Sequence, residues 1–238
     1  MPAKASTKAV PTTKRRAPAK REETDDSLAS TGERAPGRGK YDRTRTQDER
    51  VRDQRRRLLD AAGHVFAEVG WADATVESIV SRAGMSRRTF YEHFDDLKAC
   101  LLKLHQRVTD LSFRSVEALV QGESEPAAML QLGVTSFLGG IATFPHMARV
   151  IFRVTRSAGP EFEAIQEQTM ARFAKLIEKG VNRAHQLGTL GRPADDLRIF
   201  AVTAAVEAVA MRYVVRGEES KILDAAPILV DMITKTFS

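Results

Sequence analysis

Apolar side chains recur along this chain at intervals of three and four residues, and no stretch alternates as a strand would. Leu58, Ala62, Val65, Phe66 and Val69 form one such stripe. It predicts an amphipathic helix beginning near Gln47 and stopped at Gly70, which can take a positive φ. Ile79, Val80 and Ala83 form a shorter stripe behind Thr75, whose hydroxyl can cap a helix start. Gly84 marks a sharp turn, and Ser86 is a fresh cap for a second short helix held by Phe90 and Phe94. Longer helices are expected over about Asp96 to Val120, Ala127 to Ala142, Pro145 to Arg156, Glu161 to His185, Ala194 to Arg216 and Ser220 to Thr236. The chain therefore reads as all-α in two parts, a small helix-turn-helix domain over residues 46–95 and a larger helical domain over 96–238. Residues 1–45 carry almost no large apolar side chains, so they are expected to form a disordered arm.

The second short helix carries the chemistry. With Phe90 and Phe94 turned inward, Arg87, Arg88, Thr89, Tyr91 and His93 are left on or beside the outer side. Such a dense set of donors on a short helix suits a DNA major groove. An arginine can fork onto a guanine edge, while Thr, Tyr and His more often fix register on phosphate. Ser86 adds a hydroxyl where free backbone N–H groups also favour phosphate. Read from these residue types alone, a solvated polar face on an ordinary helical hairpin stays open beside the DNA-binding reading.

The order of residues is more specific. Arg57-Leu58-Leu59-Asp60-Ala61-Ala62, Val65-Phe66-Ala67-Glu68-Val69-Gly70-Trp71, Ala74-Thr75-Val76, Ala83-Gly84-Met85-Ser86 and Thr89-Phe90-Tyr91-Glu92-His93-Phe94 stand in sequence. These spaced blocks resemble the N-terminal domain of the TetR (tetracycline-repressor) family, over about a quarter of the chain. The resemblance implies that Arg87, Arg88 and Thr89 contact bases or phosphate, and that Thr75, Tyr91 and His93 anchor the DNA backbone. It further implies a homodimer on double-stranded DNA, with a C-terminal domain that binds a small effector and forms the dimer contact. The implied function is a regulator, more commonly a repressor, released from a palindromic operator by its effector; an activator or a non-specific architectural DNA-binding protein are the alternatives. One departure stands out. The family's phosphate-contacting Lys would fall at Leu97, and Lys98 follows it. Either Lys98 substitutes or that contact is lost.

Charge adds a second feature. Residues 1–57 hold 17 Lys and Arg against 9 Asp and Glu, and the remainder holds 20 against 22, so the whole positive excess of +6 sits at the N-terminal end. An arm of this kind suits a polyanion, with Arg43, Arg45, Arg50 and Arg52 as candidate phosphate or minor-groove contacts.

The C-terminal half is less informative. Phe113, Phe137, Met147, Phe152 and Phe173 are candidates for lining an effector cavity, although each taken singly reads as core. Arg149, Arg153 and Arg156 stripe one helix, either solvated or facing an acidic ligand. Ala201, Ala204, Ala205, Ala208, Val209 and Met211, with Ile228, Leu229, Ile233 and Phe237, offer a seam for a dimer. Glu207 and Arg212 interrupt that seam, and their partners are left open.

Catalysis is not expected. The five histidines stand apart along the sequence, Cys100 lies within a helical stretch, and no phosphate-cradling glycine loop or nucleophile elbow occurs. No cofactor or metal is implied. A single cysteine fits a reducing compartment, no stretch reaches a bilayer-spanning run, and a cytoplasmic protein without a membrane partner is expected.

Overall fold

The computed structural model describes residues 46–238, all of whose regular elements are helical. The basic arm over residues 1–45, with Arg43 and Arg45, lies outside the described residues. Helix α1 (Gln47–Asp73) starts at a capping box, in which Thr46 Oγ1 accepts from the Glu49 amide and the Glu49 carboxylate accepts from the Thr46 amide. Gly70 breaks its regular winding at φ 79°, and one more turn carries it to Asp73.

Helices α2 (Val76–Ala83) and α3 (Arg87–Tyr91) are each set by a local hydroxyl cap, Thr75 for α2 and Ser86 for α3. Gly84 ends α2 at φ 64°, ψ 42°, the left-handed conformation that glycine takes without steric cost. Arg57 Nη2 donates to the Ala83 carbonyl at 2.7 Å, so α1 also ties down the end of α2. Phe90, fully buried, packs against Phe94 at 5.4 Å between ring centroids.

The remaining helices are α4 (Leu97–Gln121), α5 (Pro126–Thr143), α6 (Pro145–Arg149), α7 (Glu161–Gln186), α8 (Asp196–Arg216) and α9 (Ala226–Phe237). The helix expected over Pro145 to Arg156 instead widens after α6 into a π-helical turn at Val150–Val154 and then tightens to a 3₁₀ turn. The last expected helix is likewise divided. A 3₁₀ segment over Glu219–Ala225 precedes α9, because Pro227 fits only a helix's first turn. Among the described helices, α5 is long and apolar enough to suit a bilayer, which the sequence expectation overlooked; here it packs against α4, α7 and α9.

The core does not divide at residue 95. One cluster joins Leu58, Phe66, Ile79 and Phe90 of the first three helices to Leu101 and Leu104 of α4, and continues to Met147, Val150 and Phe162. At the closest approach α1 carries Gly63, where a Cβ would lie 2.7 Å from Met147 Cε. A second cluster fills the rest of the larger domain around Leu138, Ile222, Ile233 and Phe237.

This packing corrects part of the expected dimer seam. Leu229, Ile233 and Phe237 are buried within their own subunit. The exposed apolar face keeps Ile228 on α9, with Ala201 and Ala208 on α8, and adds Leu197 and Phe200 at the start of α8 and Val215 near its end. Both faces of these helices are apolar, so periodicity alone could not tell inner from outer.

Candidate functional site

Two features stand out, an exposed donor surface on α3 and an internal cavity in the larger domain. On α3 the side chains of Arg87 and Arg88 are 62% and 89% exposed. Arg87 lies 3.7 Å from Glu77 and Arg88 donates to Glu92 at 3.1 Å, both weak surface pairs that a phosphate or base can replace. Tyr91 is half exposed, its ring fixed edge-on against buried Phe90. Ser86 and Thr75 are exposed beside them.

The other candidates each have a partner within the chain. Thr75 Oγ1 accepts from the Ser78 amide at 3.1 Å, and Ser86 Oγ accepts from the Thr89 amide at 3.1 Å while meeting the Thr89 hydroxyl at 2.9 Å. His93 is half-buried with Nε2 3.4 Å from Gln54 Oε1; burial, and then the charge of Arg55, holds its pKa below the ordinary histidine value. Lys98 pairs with Glu161 at the start of α7. No local sequence signal could have named Glu161, which reaches Lys98 only through the fold.

The cavity measures about 310 Å³ and lies among α4, α5, α7, α8, α9 and the π-helical turn, mostly behind apolar side chains. Phe137, Met147, Phe152 and Phe173 line it as candidates. Phe113 does not; its ring packs edge-on against Phe173 at 5.6 Å, with the Arg172 guanidinium 4.3 Å above it. Helical spacing could not separate Phe113 from the lining rings, because neighbouring helices decide which face looks inward.

A polar group at the cavity wall is absent from the sequence candidates. Gln166 Nε2 donates to Glu207 Oε1 at 2.7 Å, and Arg156 lies 3.6 Å from the same carboxylate. Gln166 Oε1 is buried with no hydrogen-bond partner. Behind it, His105 is fully buried with both ring nitrogens unpartnered. Burial pushes its pKa down to about 4, and the nearby Gln166 amide offsets only part of that without a well-formed hydrogen bond. Of the arginine stripe, Arg149 and Arg156 are thus committed to carboxylates, since Arg149 Nε donates to the buried Glu219 at 2.8 Å. Glu207, left open by the sequence, finds its partners inside the subunit.

A capped helix-turn-helix module sharing its core with a cavity-bearing helical domain defines the class, an all-α helix-turn-helix protein. Known proteins resemble the chain in both parts. Residues 58–104 match the family described as bacterial regulatory proteins, tetR family. The HTH-type transcriptional activator FasR of Mycolicibacterium smegmatis is 29% identical over 138 residues, 58% of this chain and 63% of its own. The HTH-type transcriptional regulator HbdR of Aromatoleum sp. is 22% identical over 151 residues, 63% of this chain and 66% of its own. The chain thus spans just under two thirds of the length of these curated relatives. Among solved structures, the fatty acid degradation regulator FadR of Bacillus halodurans superposes with a TM-score of 0.70 at 17% identity, covering 76% of this chain and 94% of that one. FadR of Bacillus subtilis, in complex with stearoyl-CoA, gives 0.67 at 15% identity, covering 77% and 99%. Residues 58–104 are thus similar to the TetR family's N-terminal region, and the matched relatives are transcriptional regulators rather than enzymes.

Proposed function

We propose that this protein is a homodimeric, sequence-specific DNA-binding transcriptional regulator controlled by a small, mostly apolar effector. The observation that carries the reading is the outward set of Arg87, Arg88 and Tyr91 on a helix anchored by fully buried Phe90. Two such helices in a dimer would enter successive major grooves of a palindromic site, about 34–36 Å apart. The exposed apolar face of Leu197, Phe200 and Ile228 supplies the dimer contact. Such a protein works in the cytoplasm, on double-stranded DNA, with no membrane partner.

The effector enters the cavity of α4, α5 and α7. Its size sits at the lower end of the roughly 300–1,000 Å³ typical of small-molecule sites. An acyl-chain compound fits the apolar lining, as stearoyl-CoA does for the B. subtilis neighbour. The unpartnered Gln166 Oε1 favours a ligand that carries a hydrogen-bond donor, because a buried acceptor left unpaired costs about 1–3 kcal/mol. Helix α4 carries the signal, since its first turns pack with the DNA-binding helices and Val108 and Thr109 line the cavity. Effector binding shifts α4, alters the groove spacing, and releases a repressed operator. By linkage, DNA must weaken effector binding by the same factor. Activation is the second reading, favoured by the likeness to the activator FasR.

Selection of DNA from a random pool, followed by affinity for the winner across a salt series, tests the core claim. The expected site is two-fold symmetric, with Arg88→Ala relaxing base preference and Tyr91→Ala weakening all sequences alike. Enrichment of no site, with steep salt dependence, would make the protein a non-specific architectural binder instead.

A further inference from the structure

We propose that Asp60, His64 and His146 form a site for a divalent transition-metal ion of the zinc class, bridging α1 and α6. Asp60 and His64 stand four apart on one face of α1, and His146 is the second residue of α6. One ligand atom from each of the three side chains lies within 4.8 Å of the other two. Ligands around a tetrahedral zinc at about 2.0–2.1 Å are themselves about 3.3 Å apart, so the set must close by about an ångström and a half at most. Side-chain rotation can supply that. Asp60 is exposed and both imidazoles are only half-buried, so the ion also has access from solvent.

The chemistry of the donors selects the class. Two imidazoles and one carboxylate suit zinc, cobalt or nickel, whereas magnesium and calcium prefer oxygen alone. The rings stack at 4.0 Å between centroids and 7° between planes, so one ring must turn out of the stack for the in-plane lone pairs of both to converge on one ion. Their nitrogens take part in no hydrogen bond with the described residues, so lone pairs remain for an ion. The cations nearest the site are already neutralised. Arg82 is doubly hydrogen-bonded to Glu68 at 2.8 Å, and Arg149 is held by Glu219. The backbone frame is fixed as well. Gly63, between the two α1 ligands, lets α1 approach Met147 closely, and buried core residues Ala62 and Met147 adjoin the ligands. Because the ligands come from both sides of this joint, a bound ion would cross-link the DNA-binding helices to the larger domain.

The test uses the untagged full-length chain, stripped with chelator and titrated with Co²⁺ and, in competition with a chromogenic chelator, with Zn²⁺. One ion per chain is expected, with visible cobalt absorption and a rise in the unfolding temperature. His64→Gln and His146→Gln should each weaken binding at least tenfold, Asp60→Asn should weaken it measurably, and His185→Gln should leave it unchanged. Binding that survives the His64→Gln/His146→Gln double variant, or no binding beyond that variant's background, overturns the site. Should a histidine variant melt early in chelator, the exposed Asp60→Asn decides: affinity equal to the parent overturns the proposal, and a loss supports it. DNA affinity plays no part in the readout, so the outcome is independent of the proposed regulatory function.

Discussion

Lys98, on the first turn of α4, is ion-paired with Glu161 on the first turn of α7. The cation that follows the DNA-binding helices is therefore spent on the larger domain. Lys98→Ala should leave both DNA affinity and its salt slope unchanged, within about twofold. Glu161→Gln should free the ammonium and steepen the slope by up to about 0.9, the value for one added phosphate contact. Binding measured across a salt series checks both. A drop in slope for Lys98→Ala alone would mean that phosphate displaces Glu161 in the complex.

Buried His105 makes stability depend on pH. Burial lowers its folded pKa to about 4, against an ordinary value near 6.5. Between those values the unfolded chain holds the extra proton, so stability falls as pH falls through that window. The loss reaches about 3 kcal/mol at the lower end. His105→Leu removes two unpartnered nitrogens and keeps an apolar filler against Phe162. Urea unfolding at pH 7.5 should show no loss of stability, and the decline between pH 6.5 and 5 should flatten. An unaltered decline would assign the pH dependence to other groups.

What could be read from sequence is what neighbouring residues decide among themselves. Thr75, Ser86 and Gly84 act within three or four positions, so the caps and the turn of the helix-turn-helix were legible, as were the inward Phe90 and Phe94. Other features depend on packing between distant segments. Phe113 and Phe137 look alike along the chain, yet only Phe137 faces the cavity. On α9 the buried Ile233 and the exposed Ile228 both sit in apolar surroundings, and only the covering helices distinguish them. His64 and His146, scattered among five histidines in sequence, stack once α1 and α6 meet.

Helix α3 is anchored to the core through Phe90. Phe90 is fully buried, in contact with Tyr91 and Phe94. Phe90→Ala removes that volume from a small module and should cost about 3–5 kcal/mol in urea unfolding. DNA binding should fall with it, because Arg88 and Tyr91 lose the support that aims them. A cost below about 1 kcal/mol would show that the module collapses around the gap and does not depend on this ring.

The last prediction concerns the exposed face of α8. Phe200 and Leu197 are 68% and 75% exposed in the single subunit, unusually open for side chains of their size. If this face is the dimer contact, Phe200→Asp buries a carboxylate in an apolar interface on both subunits at once, since a two-fold contact doubles every substitution. Sedimentation should then show a monomer where the parent is a dimer. Thermal unfolding should shift less than for Phe90→Ala, because Phe200 contributes little to its own subunit's core. Operator affinity should drop steeply as the two recognition helices become independent, while binding of a half-site stays within a few-fold of the parent. A dimer that persists in the Phe200→Asp/Leu197→Asp variant would move the contact to another surface.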